Sequence, residues 1–425
     1  MTHRASIIPT LLTAALVLAG AARGNDFFDQ QPILYSLGEP QDPVARLAHQ
    51  WQRGENRIHE TTPLGYLRAL LAKLSVPEES QVLVFSKTSH QNSRISPQTP
   101  RALYFSDDTY VGYVHGGDIE VITTDPHLGP VFYVINLPRP GRPPAVTRDP
   151  SCLSYHANAN TEGVPGMLVR SVVPAGDGRP ILRLGTHLTT QASPLPERWG
   201  GWYVTGNHQG VLHMGNVVAD ANTGELDMLA GANWTSLEGK INSSLYLRNT
   251  SDIVALMVLE HQCRMHNLLT KAAMEYRRAR WSARIVRPDL DENATDHLPH
   301  RVAESSARAI LREMLFVGEA VPGPLGVEGD PAFQEAFLRD APACPAGRTL
   351  RDFRLSGRIF AHRCSYMIHS EAFAALPEKV RGLVYDGLRE IIRDGGGGEE
   401  FKSIGRIERE RIAAILDATH PHWNP

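Results

Sequence analysis

The chain has 425 residues, of which 42% are hydrophobic and 21% charged, with a formal net charge of −3. That length allows two or three ordinary domains and a sizeable core. The charge balance lacks the basic excess of a nucleic-acid-binding protein, and the hydrophobic content excludes a chain disordered along its whole length.

His3 and Arg4 precede an apolar run over residues 7–19, and the small residues Ala19-Gly20-Ala21-Ala22 follow. Charged start, apolar stretch and small-residue cleavage site are the order of a secretory signal peptide. The run falls short of the ~20 apolar residues that a membrane anchor needs. Residues 1–24 are therefore read as a signal peptide, and the mature protein as periplasmic or secreted with no stable membrane span after processing. Its four cysteines, Cys152, Cys263, Cys344 and Cys364, form no Cys-x-x-Cys pair. Cys344 and Cys364 are candidates for a disulfide, while Cys263, inside a helical pattern, reads as a buried thiol.

In chain order, residues 25–60 are polar and turn-rich and are expected to form an extended arm. Apolar residues at helical spacing over 64–74 predict a helix, which Pro77 stops. Strands are expected at 81–85 and 101–105. Two more, at 110–114 and 119–122, flank a turn at His115-Gly116-Gly117-Asp118, and another at 131–135 precedes a Pro-rich linker over 137–144. Segments 168–173 and 180–184 flank Ala175-Gly176-Asp177-Gly178 and predict a second hairpin. The longest helical pattern covers 252–280, with Ser251 or Asp252 as N-cap and Arg277, Arg278 and Arg280 in its last turn. Further helices are expected at 303–316, 377–393 and, after the glycine linker 395–398, at 403–419. Strands first and helices later is an α+β fold: a β-rich region with hairpins over 25–250 and a helical region over 251–425.

The chemistry-bearing stretch is Ser151-Cys152-Leu153-Ser154-Tyr155-His156. It matches the haem attachment pentapeptide Cys-x-x-Cys-His except that Tyr155 replaces the second cysteine. In that motif the thiols bind haem vinyl groups as thioethers and the histidine ligates the iron. Cys152 and His156 keep the first and last positions, and Tyr155 cannot form a thioether. A singly attached heme c, a haem held only through His156, and no haem are the three outcomes. Downstream, Arg198-Trp199-Gly200-Gly201-Trp202 offers two flat indoles and a backbone that allows close approach, either as a bulged strand edge or as a cofactor-pocket wall. In the long helix, a 100° projection puts Val254, Met257, His261, Met265, Leu268 and Ala272 on one apolar face and His266 on a mixed side. His261 is then either a satisfied core histidine or, with Met265, a source of a distal iron ligand. His213 and Met214 compete for that role. No His-Glu-x-x-His, Cys/His quartet, Gly-x-Ser-x-Gly elbow, Walker loop or Gly-x-Gly-x-x-Gly occurs, and Asp107-Asp108 reads as a turn.

The segments LVFSKTSHQ (83–91), SPQTPRALYFSDDTYVGYVHGGDIEV (96–121), DPHLGPVFY (125–133), CLSYH (152–156), RWGGWYVTG (198–206), HMGN (213–216) and LEHQCRMHN (259–267) together resemble a family of exported bacterial proteins that carry a cytochrome c domain. The resemblance runs from about residue 64 to the last helix. Family members have Cys-x-x-Cys-His where Cys152–His156 stands here, so it implies covalent haem, haem iron ligation, electron transfer and a redox partner protein. The expectation is a cytochrome-c-like haem protein with Cys152, His156, Trp199 and Trp202 holding the cofactor and His156, His261 and Met265 as metal ligands. The alternative, which Tyr155 motivates, is a haem-free exported binding or scaffold protein that keeps the family fold.

Overall fold

The computed structural model describes residues 26–138, 144–220, 223–289, 291, 294–323 and 325–424. The expected signal peptide and part of the Pro-rich linker lie outside them.

Helix α1 (Pro43–Gln52) starts at Asp42, whose carboxylate accepts the Val44 and Ala45 N–H groups, with proline at the first helical position. Helix α2 (Pro63–Lys73) is capped in the same manner by Thr62. The region before α2 is not the extended arm expected from its polarity. Phe28, Ile33, Tyr35, Val44, Leu47 and Trp51 are all buried, because its sparse apolar residues converge on one face of the sheet.

That sheet comprises β1 (Val82–Val84), β2 (Arg101–Phe105), β3 (Thr109–Tyr113), β4 (Ile119–Asp125), β5 (Gly129–Ile135) and β6 (Val146–Arg148). The six strands pair antiparallel in sequence order. Alternate residues face opposite sides of a strand. One face presents Ala102, Tyr104, Val111, Tyr113, Val121 and Tyr133 to α1, α2 and the N-terminal segment. The register places Leu103, Gly112, Glu120 and Val134 in one cross-strand row and Phe105, Tyr110, Ile122 and Phe132 in the next, both on the opposite face.

After β6 come a single helical turn, α3 (Leu153–His156), and the hairpin β7 (Val169–Val172) and β8 (Thr186–Thr189). The hairpin turns at Ala175–Gly178 as expected, but its second strand lies later than residues 180–184. Pro180 forms only an isolated bridge with Pro174, and Leu182–Leu184 is a 3-10 turn whose leucines are exposed.

Helix α4 (Ile253–Val286) is capped by Asp252, which accepts the Ala255 N–H at 2.8 Å. Helices α5 (Leu298–Met314), α6 (Pro331–Leu338), α7 (Glu371–Ala374), α8 (Glu378–Arg389) and α9 (Arg406–Thr419) complete the chain. The two-turn α6 was not expected, being too short to show a periodic stripe. Helix α4 begins two residues after residue 251, and the core crosses that point: one apolar cluster runs from Val82, Val84 and Phe105 through α4 to Met314, Val384, Ile415 and Trp423.

The single apolar face projected for α4 is not what the helix presents. From Ile253 to Cys263 every residue is buried, and burial continues around the helix at Met265, His266, Asn267, Thr270 and Ala273. Such a helix is a core element rather than an amphipathic one, so its polar residues need internal partners. Glu260 pairs with Arg198 at 2.6 Å and accepts the Trp199 indole N–H. Gln262 donates to Ser106 O and Tyr110 Oη and accepts from Tyr366 Oη. The cysteine expectation also changes: Cys344 and Cys364 are buried free thiols with no bridge between them. Among the described residues, no helix is long and apolar enough to cross a membrane.

Arg198 and Glu260 are both almost wholly buried. Replacing Arg198 by Leu strands the carboxylate, a change that typically costs about 3–5 kcal/mol. Urea unfolding of Arg198→Leu should show a loss of that size; one no larger than the ~1 kcal/mol of a surface pair would contradict the placement.

Candidate functional site

On the sheet face that carries Leu103, Gly112, Glu120 and Phe132 lies a cavity of about 250 Å³. The segment from Asp149 to Val169 closes one side, Trp202 another, and Leu259 and Cys263 of α4 a third. Cys152, His156 and Met167 all lie on its wall.

The segment that carries these residues is tied down at both ends. Asp149 N–H donates to Phe132 O of β5 at 2.9 Å, and the Asp149 carboxylate accepts the Ser151 N–H. A helical turn then puts Cys152 and His156 four residues apart, on the same side. Tyr155 falls at the rim, 56% exposed, with its ring edge-on to His90. Further along, α4 holds the chain: Asn267 accepts the Met167 N–H at 2.8 Å and donates to Met167 O at 2.6 Å. Glu162 pairs with Arg264 and, at 2.9 Å, with Lys271. A Cβ at Gly166 would come within 2.3 Å of Asn267 Oδ1, so the close approach requires glycine there.

His156 is fixed by a reciprocal contact. Its Nδ1–H donates to Gly166 O at 2.9 Å, while Gly166 N–H donates to His156 O at 2.8 Å. With Nδ1 carrying the proton, Nε2 keeps its lone pair, the tautomer that metal-ligating histidines adopt. Burial brings the imidazole down to about 4, opposed by the Gly166 carbonyl, so the ring is neutral at pH 7. Its face packs on Phe132, with ring centroids 5.0 Å apart. Burial pushes the Cys152 thiol up to about 12, and the Asp149 charge adds to this. Cys152 is therefore a protonated thiol, not a reactive thiolate.

One part of the wall is charged. Arg101 Nη2 lies 3.2 Å from Glu120 Oε2, and Glu120 Oε1 accepts hydrogen bonds from Ser89 and Gln91. Burial alone would raise the Glu120 carboxyl; the Arg101 charge and these two donors outweigh it and hold it below its usual range.

Of the residues singled out in the sequence, Cys152, His156 and Trp202 meet at this cavity, and Trp199, His261 and Met265 do not. Trp199 is buried beside Glu260. Both ring nitrogens of His261 are engaged, with Gln191 at 2.7 Å and Ser365 at 2.6 Å, and the ring stacks on Phe316. Met265 is fully buried in the core. His213 lies against Trp199 and His208, and Met214 accepts from Ser171. His266, projected onto a mixed side, is buried against Tyr110. The cavity instead carries Met167, Cys263 and Arg101, which no motif marked. Met167 follows an irregular stretch, and Cys263 showed only as one apolar residue of a helix.

A larger, open cleft of about 1050 Å³ holds Asp107 and Asp108. Both serve as structural groups: Asp107 pairs with Arg351, and Asp108 accepts the Glu371 N–H. Among the described residues no cluster of three or more His, Cys, Asp or Glu side chains could hold a metal ion. The chain matches no protein-family model, no curated protein and no solved structure.

The neutral His156 has a stability consequence. Its folded value lies below the ordinary 6.5, so the unfolded chain takes up the proton first as pH falls. The stability this neutral ring contributes is present in full above pH 6.5 and is lost between 6.5 and about 4. In ¹⁵N NMR, His156 should keep Nδ1 protonated and Nε2 bare through this window; a ring that titrates near 6.5 would contradict its burial.

Proposed function

We propose that the cavity is a haem site in which His156 Nε2 ligates the iron and Cys152 supplies a single thioether. The observation that carries this reading is the His156 tautomer, set by the Nδ1–H bond to Gly166 O, with no hydrogen bond to Nε2 among the described residues. Three further features agree with it: the Cys152 thiol on the same wall, the apolar lining of Phe132, Trp202, Leu103 and Ile122, and the cation Arg101. His261 and Met265 do not fit as ligands, because neither lines the cavity. Met167 and Cys263 are the sulfur groups that the wall offers in their place. Bound there, haem would supply one-electron transfer, and the protein would serve as an exported electron carrier for a redox partner. The chain's own part is to orient His156, keep it neutral and present Cys152 beside it.

A second reading is a haem-free exported protein that binds a smaller ligand in the same cavity. Its volume favours this, since about 250 Å³ is below the ~300–1,000 Å³ of most ligand sites. The exposed Tyr155 at the missing cysteine position favours it too.

Protein produced with haem maturation machinery should show a Soret band and an intact mass increased by one haem. His156→Ala should abolish the band and Cys152→Ala the covalent mass, while His261→Gln and Met265→Leu should leave the band in any folded protein. No Soret band at full haem supply, together with covalent haem gained by Tyr155→Cys, would establish the second reading instead.

A further inference from the structure

Arg101 is a cation with donors to spare. Its side chain is about four-fifths buried (19% exposed); Nη2 pairs with Glu120 Oε2 at 3.2 Å, and the buried Nε–H has no acceptor among the described residues. A guanidinium carries five N–H donors in a rigid fork suited to carboxylates and related anions. Leaving the buried Nε–H without an acceptor is costly, so the arrangement suits a ligand that supplies one.

The sheet is built to hold this cation at the cavity. Arg101 precedes the register pair Leu103–Gly112, and Gly112 in turn lies opposite Glu120. The guanidinium therefore crosses β3 above Gly112 to reach Glu120. A Cβ at Gly112 would meet Arg101 Nε at 2.9 Å and Nη2 at 3.1 Å. At this position the backbone has no positive φ to require glycine, so the cleared space serves the arginine. Three acidic groups line the wall: Glu120 accepts from Ser89 and Gln91, Asp149 accepts from Ser151, and Asp118 is the third. His156 on the same wall is neutral.

We propose that Arg101, seated over Gly112 and aimed by Glu120, is the anchoring residue for an anionic group of the cavity's ligand. The ligand is then an amphiphile, with an apolar body against Phe132, Trp202 and Ile122 and a carboxylate or similar anion at Arg101. This names the ligand class for the site of the preceding section. It holds for haem, through a propionate, and for a smaller aromatic or acyl acid.

Paired probes separate these sources. Ferric protoporphyrin IX and its dimethyl ester differ at the two propionates, charged in one and esterified in the other; anilinonaphthalene sulfonate and uncharged phenylnaphthylamine make the smaller pair. The intact protein should hold the acidic member of at least one pair roughly 10- to 100-fold more tightly than the neutral one, the range of a charge-assisted hydrogen bond. Arg101→Gln should remove that preference, read as the ratio of acidic-probe to neutral-probe affinity. Gly112→Ala, which displaces the guanidinium but keeps the charge in the chain, should weaken it; circular dichroism would check that each variant is folded. Equal affinities in the wild type, no binding of either acidic probe, or a preference that survives Arg101→Gln would overturn the proposal. Binding of the sulfonate without either porphyrin would sustain it and reject haem.

Discussion

The described structure is arranged around a helix that is buried on every side over its first three turns. Burying α4 on all sides removes a large apolar area from water, but it also takes Glu260, His261, Gln262, His266 and Asn267 into the core. A buried polar group left unpaired costs about 1–3 kcal/mol, so pairing these side chains dictates what surrounds the helix. Glu260 takes Arg198 and Trp199, and His261 takes Gln191 and Ser365. Gln262 reaches the β2–β3 turn and Tyr366, and Asn267 holds Met167. These partners come from segments far apart in the chain, and the polar residues of one helix put each of them in place.

The candidate site is a consequence of that constraint. The Asp149–Val169 segment contains only short helical turns, and its position comes from β5 at one end and from Asn267, Arg264 and Lys271 of α4 at the other. The direction of the His156 ring therefore depends on contacts made up to eleven residues downstream, as well as on its own motif. The opposite wall is made by the sheet, where a side chain missing at Gly112 leaves room for a cation. A basic residue, a neutral imidazole, two thiols and an aromatic wall meet because two independent periodicities, that of the strands and that of α4, face each other across the gap.

Much of this was legible in the chain. The alternation in residues 101–135 marks the strands closely, and the 252–280 pattern marks most of α4, because periodicity reports burial directly. The candidate ligands were less legible. A helical projection assumes one buried face; where the whole circumference is buried, it cannot tell which residue meets a cavity and which meets the core. That is why His261 and Met265 stood out while Cys263 did not. Trp199 and Trp202 separate for a local reason: Trp199 and Gly201 both have positive φ, at 66° and 85°, and the turn sends one indole to Glu260 and the other to Arg170 O. Two aromatics three residues apart would share a face only on a regular helix.

By itself the sequence determined the α+β division, the hairpin over residues 110–122 and the Cys152/His156 pair, since each depends on near neighbours in the chain. Only the tertiary structure decided which side chains meet at the cavity. His156 acquires its bare Nε2 from Gly166, Arg101 its place from Gly112 and Glu120, and Met167 its position from Asn267 of α4. Those contacts join residues whose separation in sequence carries no periodic signature. Their common physical cause is the requirement that buried polar groups find partners wherever the packed core brings them.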